Sequence, residues 1–513
     1  MARLKLPAVL HRRNVMSGRE FEEVILLPAK GWRARVEDSA TGAAFLCSLR
    51  ADVGIGAGGA VAQPQLEFDM RVLDSIYEDG AKLCRIDMAS VAPLRAKYPG
   101  VRVVPVSYCT TALKARPAVR DRAATGSAAS NKTIFRVVSA VDGSPLPRAT
   151  VTAFTDFDNG IGDERTTNRA GEVHLSLGRP RSVERVYVEP RANYWSRLVM
   201  EVSIRSNNVI ELQPIDLAFT DCLRFFYGNA ELDMGEGVKV GIVDSGIAEH
   251  PDLRIDGGVN TVTGESPHAI GDSGSGHGTH VAGIIAARGT PARGIRGLAP
   301  GVTLRSYRVF GRGKEKSTTW AIAKAIDRAV ADGCDLVNVS IVGPRHSVVT
   351  NEAIEDARSR GTLVIAAAGN DGREAVSFPA AEPLAIAVTA MGRKRTFPIS
   401  SAHRDEIARP FGEDSDDFVA GFTNVGQEVD IIGPGVGIIS TTPHGYAAWD
   451  GTSMAAPAVT GAIARLLSKA PQILQMPKTQ ARAEAMSELV FRAAVRMGFG
   501  ARHEGQGRID LPR

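Results

Sequence analysis

Four residues in the second half of this chain have the types and settings that nucleophilic catalysis needs. Ser453 stands in Gly451-Thr-Ser-Met-Ala-Ala-Pro457, a glycine turn that runs into a long apolar helical pattern. It therefore falls at a helix N-terminus, where unpaired N–H groups and the positive end of the dipole favour negative charge developing nearby. Taken alone, Gly-Thr-Ser is also an ordinary helix cap. Asp244 closes the apolar run 238–243 and is followed by Ser245-Gly246, so its carboxylate sits where a strand ends. His277 lies in Gly276-His-Gly-Thr-His-Val-Ala-Gly283, in the first turn of an apolar helix. Asn370 ends the small-residue run Ala366-Ala-Ala-Gly-Asn370. A serine needs a base, the base needs a group that sets its tautomer and stabilises its cation, and an oxyanion needs preorganised donors. These four residues supply all the parts. His280 makes a His-x-x-His pair with His277, but no glutamate motif accompanies it, and it is read as a buried helix residue rather than a metal ligand.

The elements that must position them alternate. Apolar runs of strand length at 238–243, 303–309, 336–341, 362–367, 385–390 and 428–432 are separated by helical patterns, clearest at 319–332, where Ile322, Ile326 and Val330 share a face. Such alternation predicts an α/β fold, a parallel sheet with helices on both faces, whose chemistry sits at the carboxyl ends of the strands.

The order Asp, His, Asn, Ser, each in its glycine-bearing motif, resembles the subtilisin-like serine proteases over about 236–510. The resemblance implies a serine endopeptidase acting through an acyl-enzyme, with Asp244 orienting the imidazole, His277 as base and then acid, and Ser453 as nucleophile. Asn370 and the Ser453 N–H would hold the oxyanion. It also implies a groove. Ser340-Ile341-Val342-Gly343 would edge the primary pocket, with Val342 replacing a glycine and so favouring a small or differently oriented residue before the cut bond. Ala368 and Gly369 would line the groove beside Asn370, and Ser377 would lie at the pocket floor. Asp371 and Glu374 fit either the pocket mouth or a solvated loop. Gly313, Lys314 and Glu315, with Lys316, align with the edge strand that pairs with extended substrates. Asp252 matches an aspartate of the family's calcium site, but 288–293 offers arginines where ligands are needed, so no metal and no cofactor are expected. The segment 394–417, ending in Glu413, Asp414, Asp416 and Asp417, reads as an insertion, either a solvated loop or a lid or docking loop. Two other classes stay open: a peptide acyltransferase on the same fold, and a silent scaffold.

The bulk properties fit such an enzyme. The 513 residues are 44% hydrophobic and carry a net charge of +4, with basic residues scattered, which argues against a nucleic-acid partner. No run is long enough to span a membrane. Five cysteines without regular spacing and no secretory h-region at the start point to the cytoplasm, with non-standard export open. Residues 1–42 read as an extension. Residues 43–109 read as a small α+β domain, with strands at 44–50, 81–86 and 101–107, a glycine-rich loop at 54–59, and helices at 70–77 and 88–97. Its Gly80-Ala-Lys-Leu-Cys84 and Pro99-Gly-Val-Arg-Val-Val104 resemble subtilisin propeptides, which implies an intramolecular inhibitor and folding aid, cut between Tyr108 and Arg122. Residues 110–131 read as a linker. Short alternating runs at 132–215 predict a β-sandwich, which resembles carboxypeptidase-regulatory-like modules. A second linker at 216–235 precedes the catalytic domain at 236–513.

Overall fold

The computed structural model describes residues 19–32, 40–49, 68–114, 116–122, 132–178, 181–205, 207–343 and 346–511. They form two compact units, 1–107 with 348–353, and 108–347 with 354–513.

The first unit is built on a four-stranded antiparallel sheet in the order Met70–Ser75, Lys82–Asp87, Phe21–Leu27, Arg102–Pro105. Three expectations change here. Phe21–Leu27 is an inner strand of this sheet rather than part of an extension; Glu22 and Glu23 interrupt its apolar pattern, and only the last four residues are buried. The run expected as a strand at 44–50 belongs to the helix Ala40–Ser48, which buries Phe45 and Leu46. Short apolar runs do not distinguish the two periods. Conversely, the expected helix at 70–77 is the strand Met70–Ser75, where buried Met70 and Val72 flank exposed Arg71 with a period of two. Phe45 stacks on Tyr98 at 4.1 Å inside this core, and the helix Val91–Lys97 adds Val91 and Leu94. The glycine-rich run 54–59 lies outside the described residues.

In the second unit, the alternating runs of 132–215 form a three-stranded and a five-stranded sheet facing one core that contains Phe135, Val151, Leu175, Val186 and Leu212. The strand Ile161–Thr166 was not legible in advance, because three of its six residues are exposed and polar. The expected linker 110–131 is structured at both described ends. Tyr108–Thr111 is a strand, and Asp121–Arg122 pairs in parallel with the sandwich at Ile161 and Gly162. The expected linker 216–235 contains the helix Cys222–Tyr227, whose cap Asp221 is fully buried and accepts from the N–H groups of Arg224 and Ile439. Its buried Cys222 and Leu223 join the main core.

The rest of this unit is built on a nine-stranded sheet in the order Gly258–Asn260, Thr303–Arg308, Lys239–Asp244, Leu336–Val339, Leu363–Ala367, Ile386–Arg393, Asp417–Ala420, Ile407–Phe411, with Ile431–Pro434 also parallel to Ile386–Arg393. The inner strands run parallel. Leu336–Val339 and Leu363–Ala367 are buried at every residue, as strands covered by helices on both faces must be. Within and just after the segment 394–417, a short helical turn Ala402–Glu406 leads into the antiparallel hairpin Ile407–Phe411 and Asp417–Ala420, which extends the sheet edge. Its acids are not all solvated: Arg393 pairs with Asp414 and Asp417, and Arg395 with Asp416.

Candidate active site

Asp244 ends the strand Lys239–Asp244, and His277 opens the helix His277–Ala286. Both are buried, and the Asp244 carboxylate lies 2.8 and 3.0 Å from His277 Nδ1. Asp244 Oδ1 also accepts from the Ser245 N–H at 2.6 Å. A carboxylate on Nδ1 holds the proton there and leaves Nε2 as the base. The helix comes this close because residue 278 is glycine: a Cβ there would stand 2.3 Å from the Gly246 carbonyl oxygen and 3.2 Å from the Asp244 side chain.

Ser453 is the second residue of the helix Thr452–Ser468. Pro457 lies inside this helix and has no N–H to give the Ser453 carbonyl, which instead accepts from Ser340 Oγ at 3.2 Å. Ser453 Oγ in turn donates to the Ser340 carbonyl at 3.2 Å, and among the described residues the buried His277 Nε2 has no hydrogen-bond partner.

The chain occupies its own groove. Tyr108–Thr111 lies between two strands, pairing antiparallel with Ser317–Thr318 on one side and with Ile341–Val342 on the other. The next residue, Ala112, donates its N–H to the Ser340 carbonyl at 3.0 Å. Its own carbonyl accepts from the Ser453 N–H at 3.1 Å and from Asn370 Nδ2 at 2.5 Å. The Asn370 amide is oriented by Thr452, whose N–H and hydroxyl both donate to Oδ1 at 2.9 Å. The Thr452 hydroxyl also accepts from the Gly369 N–H. Thr452 was not among the residues that the sequence singled out; its place beside Ser453 in Gly-Thr-Ser was the available signal.

The remaining candidates sort by contact. Ser340, Ile341 and Val342 meet the bound strand, and Gly343 lies against it, since a Cβ there would stand 2.4 Å from Cys109 Sγ. Gly313, Lys314 and Glu315 do not pair with it. They lie in an exposed turn, and the pairing strand begins two residues later at Ser317, where the side chain becomes buried. The charges drew attention to the turn, but pairing uses backbone, which charge does not mark. Ser377 lies behind the groove, its Oγ accepting from Asn424 Nδ2 at 3.0 Å and its N–H donating to the Ala368 carbonyl at 2.8 Å. Asn424 also donates to Asp371 at 2.9 Å, so that carboxylate is engaged within the loop. Asp252 accepts from the Ile295 N–H and the Tyr446 hydroxyl at 2.8 and 2.9 Å. His280 is fully buried, stacks on Trp449 at 4.4 Å and contacts the Ala447 carbonyl through Nε2; burial holds its pKa down at about 3.

A sheet with its chemistry at the strand ends, a buried Asp-His pair, a serine at a helix start and an asparagine donor together define a serine peptidase. The subtilase family profile matches residues 235–507, and this chain belongs to that family. It is 38% identical over 245 residues to subtilisin DY of Bacillus licheniformis, covering 47% of this chain and 80% of that protein. It is likewise 38% identical over 238 residues to subtilisin Savinase of Lederbergia lenta, covering 46% of this chain and 78% of that protein. Against subtilisin E of Bacillus subtilis the identity is 39% over 244 residues, 46% of this chain and 57% of the relative. The protein is a subtilisin-like serine endopeptidase, and its substrates are proteins or peptides.

Proposed function

We propose that Asp244, His277, Ser453 and Asn370 carry the peptidase reaction and that the first bond cut is the chain's own Ala112–Leu113 bond, with the N-terminal unit as an intramolecular inhibitor. The observation behind this reading is the Ala112 carbonyl, held by the Ser453 N–H and Asn370 Nδ2 at the end of a strand paired on both sides. Those donors are aimed at the oxygen that becomes negative when the carbonyl carbon turns tetrahedral.

In the reaction, Ser453 Oγ attacks the Ala112 carbon while its proton passes to His277 Nε2, and Asp244 stabilises the imidazolium. The imidazolium then protonates the Leu113 nitrogen, the C–N bond breaks, and an ester joins Ala112 to Ser453. Water, deprotonated by His277, attacks the ester and releases the Ala112 carboxylate and the serine hydroxyl. A small residue is favoured at the position of Ala112, which is fully buried, while Val342 pairs with Thr110. Until it is released, the strand 108–111 blocks other substrates, and it continues directly from the N-terminal unit.

The test is intact-mass analysis of the full chain beside Ser453→Ala, each with a fluorophosphonate probe. Wild type is expected to split into 1–112 and 113–513 and then to label on Ser453, while the variant stays whole and unlabelled. Cleavage of the Ser453→Ala chain by itself, or a first cut elsewhere, would overturn the reading.

A further inference from the structure

We infer that the β-sandwich and the turn 402–406 complete the groove beyond the cut bond, forming two acidic subsites that select a cation two and four residues after it. This deepens the proposed self-cleavage and rests on it. Past Ala112, the Lys114 N–H donates to the Asp450 carbonyl at 3.2 Å, which sets the register of the departing side. The chain then runs along a cavity of about 210 Å³ walled by Glu189 and Tyr194 of the sandwich, by Ala402 and His403, and by Trp449 and Asp450.

Two cations of the bound segment meet acids of this wall. The Lys114 ammonium pairs with Glu406, whose side chain is 3% exposed, and the Arg116 guanidinium pairs with Glu189. The other acids nearby already have partners. Asp405 accepts from the Tyr187 hydroxyl at 2.6 Å and lies 3.9 Å from Arg185, while Asp450 is held by His403 Nδ1 and by the Gly437 N–H, each at 2.7 Å. Glu406 and Glu189 are thus the carboxylates whose cations come from the bound chain. Burial raises the pKa of Glu189 and lowers that of Lys114, as expected where water is scarce.

A buried carboxylate left without a cation is costly, so a neutral or acidic residue two places after the bond strands Glu406. The outer pair matters less, because the Arg116 side chain is half exposed. The wall is held in place by specific contacts. The Asn193 N–H donates to the Tyr446 carbonyl at 2.6 Å, the Tyr446 N–H returns a bond to Asn193 Oδ1 at 2.9 Å, and the Leu198 N–H donates to the Ser400 carbonyl at 3.0 Å. Glu189 lies outside the residues matched by the family, so the outer subsite belongs to the added module, whereas Glu406 lies within the matched residues.

The test uses the self-cleaved full chain and quenched fluorescent peptides Tyr-Cys-Thr-Thr-Ala-Leu-X-Ala-Z, with X lysine or glutamate and Z arginine or glutamate. Glutamate at X is expected to lower kcat/KM at least about tenfold, and glutamate at Z about two- to threefold. The Glu189→Arg variant should reverse the preference at Z and keep that at X, which a merely structural role of Glu189 does not produce. Equal rates at both positions, or an unchanged Z preference in Glu189→Arg, would overturn the subsites. Fluorophosphonate labelling of Ser453 is followed in the same samples. Equal rates with labelling sink the subsites alone, whereas absent labelling and absent cleavage sink the reading beneath them.

Discussion

The two halves of the groove hold the same segment by different physics. Before the Ala112–Leu113 bond, the strand Tyr108–Thr111 is gripped through its backbone by Ser317–Thr318 and Ile341–Val342. Every residue but proline offers the same N–H and C=O groups, so this side supplies affinity and register with little regard to sequence. Beyond the bond, the backbone contact at Asp450 is joined by ion pairs from Lys114 and Arg116 to Glu406 and Glu189. Charge pairs discriminate between partners more than they add affinity. On the proposed reading, binding by backbone and choosing by charge are thus divided between the sheet side of the groove and the wall formed by the sandwich and residues 402–406.

The largest expected effect treats both halves alike. Asn370→Ala removes a donor to the carbonyl they share and should lower kcat about a hundred- to a thousandfold for every peptide, a magnitude taken over from subtilisin itself. A loss that depends on the residues beyond the bond would break the division. Next comes the support of the far wall. The pKa of His280 is depressed to about 3 in the folded chain against an ordinary 6.5, so below pH 6.5 the unfolded state binds the extra proton. Stability is therefore full above about pH 6.5 and declines as the pH falls toward 3, by up to a few kcal/mol. Urea melts across this range should show the decline in wild type and a flatter profile in His280→Phe; identical slopes would remove His280 from the account.

A smaller effect probes the backbone side. In Gly343→Ala the new Cβ would stand 2.4 Å from Cys109 Sγ and 3.4 Å from Cys109 Cβ. Overpacking of this kind costs about 1–3 kcal/mol, so self-cleavage followed by intact mass should slow about tenfold. Adding Cys109→Ala leaves only the ordinary contact and should restore the rate; failure to restore it would mean that the strand is not gripped there. The smallest effect is Asn193→Ala, which removes the acceptor of the Tyr446 N–H, worth about 1 kcal/mol. KM should rise a few-fold for peptides that extend beyond the bond and stay unchanged for a short anilide that does not. Equal changes in both would separate the sandwich from the groove.

Much of the site was legible because its motifs are local. Gly276-His277, Gly369-Asn370 and Gly451-Thr-Ser453 each put a reactive side chain next to a turn and a helix or strand end, and short-range sterics decide that much. The alternation of buried strands with the amphipathic run at 319–332 likewise announced the parallel sheet. The errors have the same origin. Met70–Ser75 and Ala40–Ser48 exchanged expected types because six to nine residues carry too little periodicity, and Ser317–Thr318 was passed over for the charged turn before it. Sequence by itself determined the reaction class and nominated four residues for it, since each lies in a motif shaped by its neighbours. Only the tertiary structure decided which carbonyl meets the two donors, that Thr452 orients Asn370, and that Glu189 and Glu406, 217 positions apart in the chain, face cations of one short segment. Such meetings depend on how sheets pack and where a strand stops in register, and no local pattern records either.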